Sequence, residues 1–312
     1  MEENVRLSQF SNYKIGGVAR YFFAATGFED LYKAVVLSQI NKWPVFILGG
    51  GTNLLISDRG FDGLVIRPQL IFFNLTSYDG VNFLEVGAGI AMADLLNFVI
   101  EKGLSGLEWA GGLPGTLGGA VRGNAGAFKG EIKDSITDVT SLRLKDLKLV
   151  KRSKEQCDFG YRDSIFKQND GQEIILSVKF AMTEGDKKAI RQAIEDKIKW
   201  RQDRQPLDYP NIGSIFKNVD WKKVPTDWQS KDEIKKHLKT DPFPVLPAAT
   251  LIDQSGLKGV AFGGAMVSQK HPNFIVNTLQ ASSDDVKKVI SLVKSKVKDK
   301  FGIELEEEII YV

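Results

Sequence analysis

The 312-residue chain sets 42 lysines and arginines against 39 aspartates and glutamates, a formal charge of +3, with 43% hydrophobic residues. That length and apolar content suit about two globular domains. The near-balance of charge argues against a nucleic-acid binder driven by phosphate neutralisation. Cys157 is the single cysteine, which excludes an internal disulfide and argues against a thiolate zinc site. Met1 to Phe10 is polar, without the apolar core of a secretion signal, and no window reaches the roughly 18 apolar residues of a membrane span. A cytoplasmic location is expected, with no membrane, nucleic-acid or obligate protein partner.

Thr26 to Ile40 reads as a helix with Leu31, Ala34 and Val35 at helical spacing, and with Thr26 and Glu29 placed for a capping box. Val45 to Leu48 is a short buried strand running into three glycines, and Gly63 to Ile66 and Leu84 to Val86 are further strands. Met92 to Lys102 is a helix stopped at Gly103. Gly111 to Gly130 has almost no apolar period and reads as a loop or a series of turns. Strands are expected at Ser141 to Leu149 and Glu173 to Phe180, then a helix from Lys187 to Trp200 with Ile190, Ala193, Ile194 and Ile198 on one face. The domain boundary is placed around this helix. Ser283 to Lys300 is an amphipathic helix with a Val286, Val289, Ile290, Val293, Val297 stripe, ended by Gly302. Ile303 to Val312 closes the chain as a strand.

Five stretches stand out chemically. Gly49-Gly50-Gly51-Thr52-Asn53 follows a strand directly; its bare N–H groups form either a tight strand-to-strand turn or an anion nest for a pyrophosphate. It is neither a Gly-x-Gly-x-x-Gly pattern nor a P-loop. Gly111 to Gly126 holds Gly112, Gly115, Gly118, Gly119, Asn124 and Gly126; so many glycines are costly in folding entropy and suit a long ligand laid against bare backbone. Two such walls suggest a phosphate-containing cofactor, and FAD fits. In Tyr161-Arg162-Asp163, Arg162 is either a surface cation or a bidentate carboxylate clamp. Gly213-Ser214-Ile215-Phe216-Lys217-Asn218 brackets one hydroxyl with small residues. Only His237 and His271 exist to activate it, so a serine hydrolase is disfavoured. On a strand, Glu304, Glu306 and Glu308 would share a face and raise one another's pKa, or else form a solvated acidic edge.

Taken in this order, and with Asn12 to Gly17, Asp253 to Gly259, Gly263 to Ser268 and His271 to Asn277, these stretches resemble the MurB family of UDP-N-acetylenolpyruvoylglucosamine reductases from Leu7 to Val312. The resemblance implies an α+β protein: an FAD-binding domain of the PCMH or vanillyl-alcohol-oxidase type, with two α/β subdomains, over 15–183, then a MurB-type α+β substrate domain over 200–312. It implies non-covalent FAD, NADPH as hydride donor, no metal, and a UDP-sugar substrate whose enolpyruvyl ether is reduced to UDP-N-acetylmuramate. It places catalysis on Arg162, Ser214 and Glu308, cofactor contacts on the two glycine stretches, and substrate contacts on Lys217 and Asn218. Val219 to Val245, with Trp221, Trp228 and a lysine-rich helix expected over Lys231 to Lys239, departs from the family's commonest pattern as an insertion, a lid or a surface elaboration. A flavin oxidase on the same first domain is the nearest alternative, but no histidine precedes residue 237 to carry the flavin covalently.

Overall fold

The computed structural model describes residues 1–241 and 243–312. The chain forms two compact units. The first comprises Met1–Val5, Ala19–Gly50 and Phe61–Arg201; the second comprises Arg6–Val18, Gly51–Gly60 and Gln202–Val312. Among the described residues no helix is long and apolar enough to cross a membrane.

In the first unit a four-stranded sheet runs in the order Glu2–Arg6, Val18–Ala25, Phe61–Pro68, Val45–Ile47. The last two pairings are parallel, which requires crossovers, and the Phe28–Asn41 helix supplies one. Its Leu31, Ala34 and Val35 pack with Ala25, Leu64 and Ile66 in one apolar cluster. The expected capping box is not made. Gly27 takes the cap position, and Asp30, not Glu29, accepts from both the N–H and the hydroxyl of Thr26. Glu29 faces Lys33 instead.

The second sheet of this unit is antiparallel, ordered Lys148–Ser153, Ile136–Arg143, Glu173–Glu184, Val81–Gly87, Phe73–Tyr78. The single strand expected over 141–149 is a hairpin. Leu147 takes a left-handed backbone (φ 57°), and Arg143 holds Asp146 across the turn. The long central strand changes face at a bulge, where Thr140 faces Ser177 but Ser141 faces Ile175. Ile174 and Leu176 therefore join the cluster around the first helix, whereas Val178, Phe180 and Met182 join the core beneath the Met92–Lys102 helix. One strand thus serves two cores.

The second unit is built on a three-stranded antiparallel sheet, Ala261–Phe262, Ala265–Val267 and Ile275–Asn277, covered by the Ser283–Phe301 helix. Ser282 and Asp285 cap that helix reciprocally, and Gly302 (φ 68°) ends it. The stripe read from the sequence is its buried face: Val286, Val289, Ile290, Val293 and Val297 are all at most 2% exposed. The 219–245 segment is not a loose elaboration. Val219 and Asp220 pair with Leu246 and Val245, Val224 and Ile234 are buried, and the Trp228 ring packs edge-on against Phe301 at 4.6 Å. Of the helix expected over 231–239 only the single turn Asp232–Lys235 forms, and another single turn, Thr226–Gln229, precedes it.

The C-terminal acidic run also differs from expectation. Only Ile310–Tyr311 is a strand, parallel to Leu54–Leu55. Three of the acids before it each have their own cation: Glu304 with Lys298, Glu306 with Lys217, Glu307 with Lys294. The Lys298 hydrogen bond lowers the Glu304 pKa below the usual range, so neighbouring carboxylates do not raise it.

Candidate active site

The first glycine loop begins where the Val45–Ile47 strand stops. Leu48 is fully buried and its N–H makes the last ladder bond, to Ile66 O at 2.8 Å. The chain then bends through five residues. Among the described residues, none accepts a hydrogen bond from the N–H of Gly49, Gly50, Gly51, Thr52 or Asn53. Unmade peptide donors in sequence are the raw material of an anion nest. Gly51 (φ 66°) must be glycine, because a Cβ there would lie 1.8 Å from Phe10 O.

The second glycine stretch is more ordered than a loop. It contains a short helix, Leu117–Arg122, and two-residue strands at Gly126–Ala127 and Gly130–Glu131. Its start lies directly on the first loop: a Cβ on Gly50 would be 2.5 Å from Gly115 Cα, and one on Gly49 would be 2.9 Å from Thr116 Oγ1. Here too the N–H groups of Gly115, Thr116 and Gly119 find no acceptor among the described residues. The predicted cofactor glycines therefore separate by physical role. Gly118 is a packing glycine, its N–H bonded to Ala88 O at 2.9 Å and its missing Cβ leaving room for the Ala88 side chain. Gly119 is open, with nothing nearer than 3.6 Å to a Cβ built there. Asn124, fully buried in a left-handed conformation (φ 40°), donates to Gly160 O at 2.8 Å while its Oδ1 has no partner.

Those features test the fit of a dinucleotide cofactor. Eight bare peptide donors suit a pyrophosphate. Orphaned buried atoms on Asn124 Oδ1 and Arg201 Nη2 beside the second stretch suit a group with both acceptors and donors. FAD has both.

Arg162 occupies the tip of a tight turn in which Gly160 and Asp163 exchange both backbone hydrogen bonds, at 3.0 and 3.2 Å. Its φ of 57° is strained for a side chain with a Cβ, on the order of 1–2 kcal/mol. Its contacts hold it there. Its Nη2 donates to Gly126 O at 2.9 Å, its guanidinium lies 5.4 Å from the Tyr161 ring centre, and its carbonyl accepts from Lys167 Nζ at 2.8 Å. Ser164, buried, caps the following turn and donates to Arg122 O. The strain and the Gly126 bond bind Arg162 to the end of the glycine stretch, which disfavours a solvated surface cation.

In the second unit, Ser214 and Glu308 are brought onto adjacent segments. Glu308 N–H donates to Ile215 O at 2.9 Å, and Lys217 N–H donates to Glu306 O at 2.8 Å. Gly213 (φ 84°) makes the bend before Ser214, its N–H held by Asn211 Oδ1. On the other side Asn273 clamps the loop: its carbonyl and Oδ1 accept from Ile215 and Phe216, and its Nδ2 donates to Phe216 O. Asn53 reaches the same region, its Nδ2 donating to Glu308 O at 2.9 Å. Lys217 pairs with Glu306, and Asn218 Oδ1 accepts from Ala248 N–H at 3.3 Å, at the start of the Ala248–Gln254 helix. Among the described residues no group of three His, Cys, Asp or Glu is placed to hold a metal.

Three features went unread in the sequence. Asn273 sits in a quoted motif, but only the structure reveals its clamp. His271 is held neutral: burial, helped by the charges of Lys239 and Lys258, lowers its pKa to about 4, and its Nδ1 has no partner. Arg201 carried a legible signal. It continues the Ile190, Ile194, Ile198 stripe, and a charge on a buried helical stripe asks for an explanation.

Residues 205–312 match the family model described as UDP-N-acetylenolpyruvoylglucosamine reductase, C-terminal domain, and residues 19–147 match an FAD binding domain model. The chain is 34% identical over 309 residues to a UDP-N-acetylenolpyruvoylglucosamine reductase of Clostridium novyi, covering 99% of this chain and 91% of that protein. It is 37% identical to the enzyme so named from Exiguobacterium sibiricum, over 98% of this chain and 91% of that one. Among solved structures, the UDP-N-acetylenolpyruvylglucosamine reductase of Thermus caldophilus superimposes with a TM-score of 0.74 at 29% identity, covering 98% and 97% of the two chains.

Proposed function

The chain belongs to the UDP-N-acetylenolpyruvoylglucosamine reductase family, and on that premise we propose that it reduces the enolpyruvyl ether of UDP-N-acetyl-3-O-(1-carboxyvinyl)-glucosamine to UDP-N-acetylmuramate, a step of peptidoglycan precursor synthesis, using NADPH. The observation that carries this reading is the run of unaccepted peptide donors on two glycine loops that touch at Gly50 and Gly115, in a chain with full-length relatives of that name. We assign the flavin-binding part to 15–183 and the substrate part to 200–312, and the location to the cytoplasm.

FAD, when bound, takes hydride from NADPH and returns it to the substrate. Gly49 to Asn53, with Gly115, Thr116 and Gly119, would hold its pyrophosphate through backbone N–H groups; Gly112 and Asn124 would line the remainder. The chain's own groups act on the substrate. When hydride adds to the terminal enol-ether carbon, negative charge builds on the adjoining carboxylate as an enolate. Arg162 offers a planar fork already fixed by the Gly126 bond and the Tyr161 ring, so little reorganisation is needed as that charge develops. Ser214 delivers a proton to the neighbouring carbon, from a loop clamped by Asn273 and tied to the Glu308 backbone. Glu308 in its protonated form shares the enolate charge. Lys217 and Asn218 serve the diphosphate or the nicotinamide cofactor, and Lys217 must exchange Glu306 for that anion.

The test is direct. Purified protein should be yellow, release FAD on denaturation, and oxidise NADPH beyond the single equivalent that reduces its flavin only when the enolpyruvyl UDP-sugar is present. Colourless protein that FAD cannot reconstitute, or NADPH oxidation indifferent to that substrate, overturns the reading.

A further inference from the structure

Arg201 lies near the end of the Lys187–Arg204 helix, half-buried, on the side that carries the buried Ile190 and Ile194. Its Nε donates to Gly111 O at 2.9 Å. Its stem fills the space that a Cβ on Gly112 would need, the Cδ being 2.9 Å away. Its guanidinium lies 5.4 Å from the Phe128 ring centre. The Nη2 is buried and makes no hydrogen bond, and no carboxylate among the described residues pairs with Arg201. Burial, and then the like charge of Arg162, disfavour its charged form. A buried guanidinium with an unmade bond and a cation for a neighbour is expensive for a protein with nothing bound. Such a group makes sense where a ligand completes it.

We infer that Arg201 is the residue that polarises the pyrimidine edge of the bound flavin, donating from Nη2 to the carbonyl edge where negative charge settles on reduction. The inference rests on the flavin reading above. Hydride from NADPH carries two electrons and one proton, so the flavin that receives it, with no second proton, becomes an anion while NADPH becomes NADP⁺. That charge spreads over the N1 and C2 carbonyl edge. The pyrophosphate already has its donors at Gly49 to Asn53, Gly115, Thr116 and Gly119. Arg201 instead stands at Gly111 and Gly112, beside Arg162, the cation assigned to the substrate's carboxylate. This assigns it to the reacting end of the cofactor. A buried cation there favours the reduced anion over the neutral oxidised ring, and so raises the potential.

The experiment compares the FAD-loaded parent with Arg201→Met and Arg201→Lys. The two-electron potential is measured by equilibration against a reference dye, FAD affinity by titrating apoprotein, and folding by thermal melting of apoprotein. Arg201→Met should weaken binding of reduced flavin at least tenfold more than binding of oxidised flavin, which for a two-electron couple lowers the potential by about 30 mV or more. Arg201→Lys keeps the charge and most of the stem but loses the fork, and should fall between; it carries the test alone if the methionine variant does not fold. Equal weakening of both redox forms, with the potential unmoved, would assign Arg201 to the pyrophosphate and overturn the inference. A lower melting temperature with flavin affinity and potential both unchanged would make it a structural residue and overturn it equally. A parent protein that takes up no FAD would instead refute the flavin reading itself.

Discussion

Replacing Gly50 by alanine separates the steric design of the cofactor loops from any general effect of adding a methyl group. The new Cβ would lie 2.5 Å from Gly115 Cα and 3.1 Å from both Gly115 C and Thr116 N. Ordinary carbon contacts are about 3.5–4.0 Å, so the two loops must part by roughly 1 Å, and every atom in the way is backbone that cannot rotate aside. Overpacking of this kind costs about 1–3 kcal/mol. If FAD requires the loops in their native arrangement, the same strain weakens its binding by about fivefold to 150-fold. Gly119→Ala is the counterpart. Its Cβ meets nothing nearer than Thr116 Oγ1 at 3.6 Å, and alanine suits a helix better than glycine by about 0.5–1 kcal/mol. The apoprotein should melt at the same temperature or higher, yet hold FAD less tightly, because the methyl group projects from the open face. Isothermal titration of apoprotein with FAD, alongside apoprotein melts, reads both effects. Parent-like FAD affinity in Gly119→Ala would refute the claim that the bare glycine face is the cofactor's seat.

Arg162→Lys should keep FAD bound and lower turnover far more than flavin affinity, since lysine retains charge but not the planar fork; turnover within a few-fold of the parent would remove Arg162 from the enolate. His271 links stability to pH. Its pKa is held below its ordinary 6.5, at about 4, so the folded state binds fewer protons than the unfolded one between those values. The stabilisation is complete above about pH 6.5 and is lost as pH falls toward 4, by on the order of 3 kcal/mol. Urea melts across that range should show the loss, and His271→Gln should flatten it. Trp228→Ala should cost about 2–4 kcal/mol by emptying the contact with Phe301, while kcat/KM at a temperature where the variant is folded stays near parent; lost turnover with unchanged stability would make the 219–245 segment a lid after all.

How far the sequence could be read depended on how local the deciding interaction was. The Ser283–Phe301 helix was legible because a five-residue valine and isoleucine stripe and the glycine that ends it, Gly302, lie in one continuous stretch. The two glycine stretches stood out in the sequence by composition, yet their contact at Gly50 and Gly115 spans more than sixty residues and has no sequence signature. The hairpin at 136–153 was misread because its turn rests on a left-handed Leu147 and an Arg143–Asp146 pair, neither of which apolar periodicity reports. The acidic run looked like one face of a strand, but Lys298, Lys217 and Lys294 each claim one of the carboxylates of Glu304, Glu306 and Glu307. The Asn273 clamp and the unfilled bond of Arg201 are properties of packing, although a charge on Arg201's stripe was visible and went unused.

The most direct measurement uses Ser214→Ala in a stopped-flow instrument, with the two half-reactions followed separately by flavin absorbance. Hydride transfer from NADPH needs no proton on the substrate carbon, so bleaching by NADPH should match the parent. Return of colour on mixing with the enolpyruvyl UDP-sugar should slow by about two to four orders of magnitude, the usual loss for a missing general acid. Equal slowing of both halves would mean a displaced site, and parent-like reoxidation would contradict the assignment of Ser214 as the proton donor.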